Sequence, residues 1–439
     1  MRSVTFHGLV AGLAAGLAAT AVLASPAAAQ DQEPIRVGVI YDFTGPFAAG
    51  GSEPGAVGTQ IAIDMINERG GVEGHKIEPI NADAQSKAEV AINEAERLWT
   101  QENVPILMGV YSSAHCVPLA QRAEALKKFF WMNICIASSV LKDKNLTYAF
   151  RGQVHSDQFG EASAKFLAEN AEEKLGVAPE DLKVAIIYED GPYGTGVADS
   201  NQQWADELGF DVVLKEGYAA TAPDLSSLVT KLRRARPDAI LHTGYNPDIT
   251  LFLRQAREQG LRFKALIGHG AGYGQFDKLH ATFGDDVNYI YNVDPVAAQL
   301  LDPATLTPGL GDVIEEMLRR YKEKTGAEEV PPHVSSGFNQ AWVLLDDVLP
   351  RAIKENGGVT PDALREAALR TDIPEGGTIQ GYGVKFYPPG HQMAGQNERS
   401  FPVVMQYIGG ETEVVWPETV RTAEPELPLP DASPYAAGS

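Results

Sequence analysis

The sequence predicts an α/β protein made of two successive units, each a mostly parallel sheet covered by helices. Three observations lead there. Short runs rich in Val, Ile and Leu alternate with stretches whose apolar residues recur at helical spacing. The intervening helices are long enough to demand parallel pairing with right-handed crossovers. The alternation also starts afresh after Phe150, so the second half repeats the plan of the first without repeating its sequence.

In the first unit, IRVGVIYDFTG reads as a strand, and GAVGTQIAIDMINERGG as a helix stopped by its glycines. HKIEPINADA is the second strand. AEVAINEAERLWTQEN is an amphipathic helix with Ala91, Ala95, Leu98 and Trp99 on one face. VPILMGVY is the third strand, PLAQRAEALKKFF the third helix and WMNICIAS the fourth strand. In the second unit, FGEASAKFLAENA, KVAIIYED, GTGVADSNQQWADELG and DVVLKEGY alternate helix and strand. DLSSLVTKLRRAR, DAILHTGY, NPDITLFLRQAREQG, FKALIGHG and NYIYNVD continue the pattern. A proline-rich surface loop, PVAAQLLDPATLTPGLG, leads to three further helices, and Gly381–Pro417 reads as two or three antiparallel strands. The final stretch, 419–439, is so rich in proline and so poor in apolar residues that it is expected not to order itself.

Residues 1–29 carry one arginine, an Ala/Leu/Val/Gly run and the small residues Ala27-Ala28-Ala29. This is the arrangement of a secretory signal peptide cleaved after Ala29. The competing reading, a membrane anchor, lacks a positive stop-transfer cluster, and a lipid anchor lacks its cysteine. Removing the segment leaves about 400 residues, which favours two domains. The formal charge of −22 argues against nucleic acid or anionic lipid as partner. Two cysteines occur, Cys116 and Cys135; an oxidising compartment permits a bridge, and buried free thiols are the alternative.

In an open parallel sheet, ligands bind beyond the carboxyl ends of strands, where following helices present unpaired N–H groups. Ser112 and Ser113 stand at such an end, and Ala137-Ser138-Ser139 at the next. Two hydroxyl-bearing strand ends make a receptor for a carboxylate or another anionic oxygen; the plainer alternative is a set of helix N-caps. In the second unit the strand ends EDGPYGTG, HTGYNPD and IGHGAGYG supply Tyr193, Tyr245 and Tyr273 as a flat wall with polar tips, or as residues packed on their own domain.

GPYGTG has the wrong spacing for a dinucleotide fingerprint, and no Walker loop occurs. There is no GxSxG elbow and no His-Glu-x-x-His pair, so an enzyme is not expected and neither is a cofactor. His115, Cys116, Cys135 and His269 all lie near strand ends and form the one imaginable soft-metal set, against which stands ordinary packing.

The stretches IRVGVIYDFTGPFA, GVYSSAHCVPLA, YAFRGQVHSDQFG, VAIIYEDGPYGTG and GYNPDITLFLRQAREQGL, in this order, resemble the type I periplasmic solute-binding proteins of the leucine/isoleucine/valine-binding class. The similarity runs from about Ile35 to Pro417. It implies two Rossmann-like lobes joined by three hinge crossings, near Phe150–Arg151, Tyr289–Val293 and Thr371–Thr378. Lobe 1 would then be 30–151 plus 292–373, and lobe 2 would be 152–291 plus 374–418. It implies a periplasmic monomer, not lipid-anchored, that passes a small-molecule solute to ABC permease subunits; a sensor feeding a signalling receptor is the alternative.

By that resemblance Ser112, Ser113, Ala137 and Ser138 grasp a carboxylate, with serine standing where the family has threonine, and Tyr193 and Tyr245 face the ligand from the other lobe. The family's amino-acid binders place a glutamate in a G-P-E-G loop to neutralise the ligand's ammonium. Here that position reads Gly268-His269-Gly270. Asp190 and Asp248 are candidate substitutes. Otherwise His269 with Tyr193, Tyr245 and Tyr273 suits a carboxylate or amide on an aromatic or uncharged body, unless His269 only bonds a neighbouring loop.

Overall fold

A computed structural model describes residues 1–5, 8, 32–327 and 329–437. The apolar run and cleavage point of the expected signal peptide lie outside the described residues. Among the described residues no helix is long and apolar enough to cross a membrane.

Five strands, β1 (Gln32–Tyr41), β2 (His75–Asp83), β3 (Ile106–Gly109), β4 (Phe129–Met132) and β5 (Ala149–Arg151), form an all-parallel sheet in the order β2-β1-β3-β4-β5. A second sheet has seven: β6 (Lys183–Glu189), β7 (Asp211–Tyr218), β8 (Ala239–Thr243), β9 (Ala265–His269), β10 (Tyr291–Asp294), β11 (Val403–Ile408) and β12 (Glu411–Trp416). Its order is β12-β11-β10-β9-β8-β6-β7, parallel except at β10-β11 and β11-β12. Successive side chains on a strand point to opposite faces, and here alternate residues enter different cores. Val37, Val39, Ile106 and Met108 pack on one side of the first sheet, while Ile40, Leu107 and Phe130 pack on the other. Both faces being covered, the strands read as continuous apolar runs.

Around the first sheet lie α1 (Glu53–Glu68), α2 (Ala88–Thr100) and α3 (Ser113–Leu126); around the second lie α4 (Ser156–Asn170), α5 (Pro192–Leu208), α6 (Ser226–Ala235), α7 (Asn246–Glu258) and α8 (Phe276–Phe283). The later helices α9 (Leu310–Thr325), α10 (Pro332–Val343), α11 (Leu349–Glu355) and α12 (Pro361–Leu369) return to the first lobe. The return is fixed by α10 crossing α1 backbone to backbone: a Cβ on Gly58 would stand 2.1 Å from Val334 O, and one on Gly337 2.1 Å from Gly55 O. Trp131 Nε1 also donates to Gln340 O at 2.9 Å.

Three expectations need correction. The third helix ends at Leu126, with Lys127 left-handed at φ 52°, so β4 takes Phe129 and Phe130, and Ile134–Ala137 runs on as loop. Past the third crossing expected at Thr371–Thr378 the chain still packs against the first lobe: Phe386 lies 5.6 Å from Trp131 and 5.2 Å from Phe150, and Gln396 bridges Arg151. The C-terminal stretch is ordered through Tyr435, which is buried and stacked on Phe263 at 5.5 Å, with its Oη donating to Leu253 O at 3.1 Å. A few apolar side chains, Leu427, Leu429 and Tyr435, fill gaps on the second lobe, which composition averaged over the segment conceals.

The first crossing meets the Gln396–Asn397 segment around Arg151, whose guanidinium is fully buried. Its Nε donates to Gln396 Oε1 at 2.6 Å and its Nη1 to Ala137 O at 2.9 Å. Asn397 Nδ2 donates to Gly152 O at 2.7 Å and Gly383 O at 2.9 Å. Burial lowers the Arg151 pKa to about 9, which still leaves it charged near neutrality.

Candidate functional site

Strand β3 ends at Gly109, and the chain passes Val110, Tyr111 and Ser112 before α3 begins at Ser113. The first helical bonds run from His115 N and Cys116 N to Ser112 O, at 3.0 and 3.1 Å. The amides ahead of them, Ser113 and Ala114, stand at a positive helix end. Ser113 Oγ accepts from Ala137 N at 3.1 Å, and Cys116 and Cys135 form a disulfide with Cα atoms 6.5 Å apart. The question of bridge or free thiols is thereby answered. The bridge fastens the loop after β4 to the start of α3, and its sulfurs are not thiolate metal ligands.

Between the lobes lies a cleft with about 380 Å³ of empty space, part of it open to solvent. The first lobe contributes Tyr111, Ser113, Ile134, Ile136, His333 and Ser336. Gln153 lies just after the first crossing, and the second lobe supplies Phe159, Tyr193, Tyr245, Gly270, Ala271 and Asp294. The lobes meet around it. Tyr245 Oη is 3.3 Å from Ser112 Oγ, its ring lies 4.3 Å from that of Phe47, and Gln275 Nε2 is 3.1 Å from His333 Nδ1.

Of the residues singled out in the sequence, Ser113, Tyr193 and Tyr245 line the cavity. Ser112 meets the Tyr245 hydroxyl across the cleft, and Ala137 contributes through the hydrogen bond from its amide to Ser113. Ser138, His269 and Tyr273 do not line it. The Ser138 hydroxyl is engaged at the start of α4, 2.9 Å from Ser156 Oγ and 3.1 Å from His155 Nδ1. The His269 ring is buried among Ser163 Oγ (2.9 Å), Thr243 Oγ1 (2.9 Å) and His242 O (3.0 Å). Its carbonyl, not its ring, serves the site, accepting from Tyr193 Oη at 2.5 Å. Tyr273 turns into the second lobe's core, with its hydroxyl 2.7 Å from His242 Nδ1. The two candidate counter-charges do not line it either: Asp190 is exposed, and Asp248 accepts from Tyr218 Oη at 2.7 Å and from Tyr245 N at 2.9 Å in the capping box of α7.

The carboxylate inside the cavity is Asp294, the last residue of β10. It is 6% exposed, its Oδ2 has no hydrogen-bond partner, and burial pushes its pKa up to about 8. Gln153 Nε2 is likewise buried and unpaired. His333 is pushed down to about 4 by burial, and burial holds Tyr111, Tyr193 and Tyr245 well above the usual phenol range, so all four are neutral at pH 7. The site thus offers neutral donors, two helix-start amides and one latent negative charge. Asp294 was legible as the terminal residue of NYIYNVD under the same strand-end rule that singled out the serines. Gln153 and His333 carried no such signal, since they arrive through the crossing and the returning α10.

Residues 34–397 match the model of a family described as periplasmic binding protein. The chain is 34% identical over 416 residues to the Leu/Ile/Val-binding protein homolog 7 of Brucella suis biovar 1, covering 95% of this chain and 98% of the relative. It is 33% identical over 390 residues to homolog 8 of the same organism, covering 89% and 92%. Its fold is similar to a leucine-binding protein from Thermotoga maritima (TM-score 0.71, 23% identity, 87% of this chain and 97% of that one). It is also similar to the branched-chain amino acid transporter substrate-binding protein LivJ from Streptococcus pneumoniae, solved with isoleucine (TM-score 0.69, 19% identity, 88% and 100%). With sequence match and fold agreeing over most of the chain, this protein belongs to the periplasmic binding protein family, whose members bind solutes and do not transform them.

Proposed function

We propose that this protein captures a small carboxylate- or amide-bearing organic solute between its lobes outside the cytoplasm and presents it to the permease of an ABC importer. The observation that carries the reading is the cleft between the lobes whose rim is made by strand ends of both sheets, with Ser113 and the first amides of α3 on one side and Tyr193 and Tyr245 on the other. The ligand's carboxylate sits at the α3 N-terminus, where amide donors and the helix dipole replace its water. Apolar contacts from Ile134, Ile136 and Phe159 hold its body. Closure requires both lobes to contribute to the same guest, which residues of both lining one cleft allow, and the closed form is what a permease reads. Small-angle scattering with and without an amino-acid and organic-acid panel tests this: a compacting ligand is expected, and no change of profile or thermal stability with any member sinks the reading.

A further inference from the structure

Inside the second lobe, outside the lining of the cleft, four polar side chains form a chain. Tyr218 ends β7, His242 lies in β8, Asp248 in the first turn of α7 and Tyr273 in the turn after β9. All four are buried. Tyr273 Oη is 2.7 Å from His242 Nδ1, His242 Nε2 is 2.6 Å from Tyr218 Oη, and Tyr218 Oη is 2.7 Å from Asp248 Oδ2. The other carboxylate oxygen, Asp248 Oδ1, accepts from Tyr245 N at 2.9 Å. Asp248 is thus held on both oxygens, and the residue it fixes is the tyrosine that reaches Ser112 across the cleft. Only a glycine fits beside this contact: a methyl on Gly244 would stand 2.3 Å from Asp248 Oδ2 and 2.7 Å from Tyr218 Oη.

The protons of the chain have one order that satisfies every member. A carboxylate only accepts and a phenol carries a single proton, so Tyr218 donates to Asp248. Its oxygen then faces His242 Nε2, which must donate to it. Burial lowers the His242 pKa to about 3, so the ring is neutral with one N–H, and Nδ1 accepts from Tyr273. The reverse order would leave Asp248 Oδ2 buried and charged with no donor. Burial, with Glu189 adding to it, pushes Asp248 up to about 7; above that pH it is the carboxylate this order needs.

We propose that Tyr218 and His242 are positioning residues for Tyr245: Asp248 sets the direction of the chain, the chain holds His242 as its Nε2–H tautomer, and the doubly held carboxylate keeps Tyr245 aimed into the cleft. This goes beyond the capture of a solute and rests on that reading only for what Tyr245 does.

Nitrogen chemical shifts of the ligand-free protein carrying isotope-labelled histidine, at pH 8.5, test it, with the His242 signal assigned by its loss in H242Q. Wild type is expected to show a neutral ring with Nε2–H alone. In D248N, Oδ1 still accepts from Tyr245 N and an amide nitrogen faces Tyr218; either proton order then leaves one phenol proton unpaired, so a mixture of both tautomers is expected. Y218F is expected to speed hydrogen exchange of the Tyr245 amide at least fivefold more than that of Ile267 in β9, as one lost hydrogen bond does. A wild-type ring that is charged, mixed or Nδ1–H overturns the assignment. So does a D248N ring that stays purely Nε2–H, or Y218F exchange that rises equally at both amides, which is what plain destabilisation gives. The wild-type spectrum decides the proton order even where a variant does not fold. No solute enters these measurements, so their failure leaves the solute trap standing, and failure of the scattering test leaves this chain standing.

Discussion

Ser113 Oγ accepts the Ala137 amide at 3.1 Å, which joins the ends of β3 and β4 side by side at the cavity wall. The Ser138 hydroxyl, one residue on, points the other way and supports α4 through Ser156 and His155. The two serines therefore separate in their effects. Ser113→Ala is expected to weaken solute binding by about 1 kcal/mol, roughly fivefold, through the lost hydrogen bond and the freed Ala137 loop. Ser138→Ala is expected to cost about 1 kcal/mol of stability, as lost helix caps do, with affinity nearly unchanged. Calorimetry and urea unfolding of both variants distinguish the roles.

Tyr245 and Ser112 touch across the cleft at 3.3 Å. A contact present only in the closed form shifts the open–closed balance by its own free energy. Tyr245→Phe and Ser112→Ala are each expected to weaken binding a fewfold, and the double variant to be no worse than the weaker single one. A double-mutant cycle on dissociation constants measures this; strictly additive losses would show that the pair is not coupled.

The Cys116–Cys135 bridge spans a sequence separation of 19 residues. Closing a loop of that size is worth about 3 kcal/mol in the chain-entropy account. Replacing both cysteines by alanine is expected to lower unfolding stability by about that amount. Affinity should fall too, because the bridge sits on the loop that holds Ala137 against Ser113. Chemical denaturation and ligand titration of the double variant check both.

Burial raises Asp294 from an ordinary carboxylate value to about 8. The groups that act on it or face it are Tyr111, Tyr193, Tyr382 and Tyr407, with His333 and Asn292 beside it, and none is positively charged at pH 7. A folded pKa raised above the unfolded one gives stability that is complete below about pH 4 and lost as pH rises towards 8, by up to about 1.4 kcal/mol per pH unit. D294N removes this term. Without ligand, the variant's stability relative to wild type is expected to climb between pH 5 and 8; a difference that stays flat across that window refutes the shift.

Tyr435 stacks on Phe263, and Phe263 N donates to Tyr435 O at 3.0 Å. Tyr435→Ala is expected to destabilise the second lobe by about 3 kcal/mol, the usual cost of emptying an aromatic site. Solute affinity should be kept, since this contact lies outside the cavity lining. Thermal unfolding and calorimetry test the pair of outcomes.

The sequence by itself determined the alternation of strands and helices, because strand and helix each impose a period on their apolar residues and both periods are local. It also pointed to strand ends that meet at the cleft: Ser113, Tyr193 and Tyr245 line it, as the parallel-sheet rule led one to expect. Tertiary structure alone decided which neighbours of those residues face the cavity. His269 and Tyr273 sit in the same glycine-rich stretch as Gly270 and Ala271, yet their side chains are claimed by Ser163, Thr243 and His242, partners remote in the chain. Gln153, His333 and Asp294 converge only because the chain crosses between lobes and α10 returns to α1. The site's charge is likewise a tertiary property: an aspartate at a strand end is ordinary in sequence, and it is burial between the lobes that raises the Asp294 pKa.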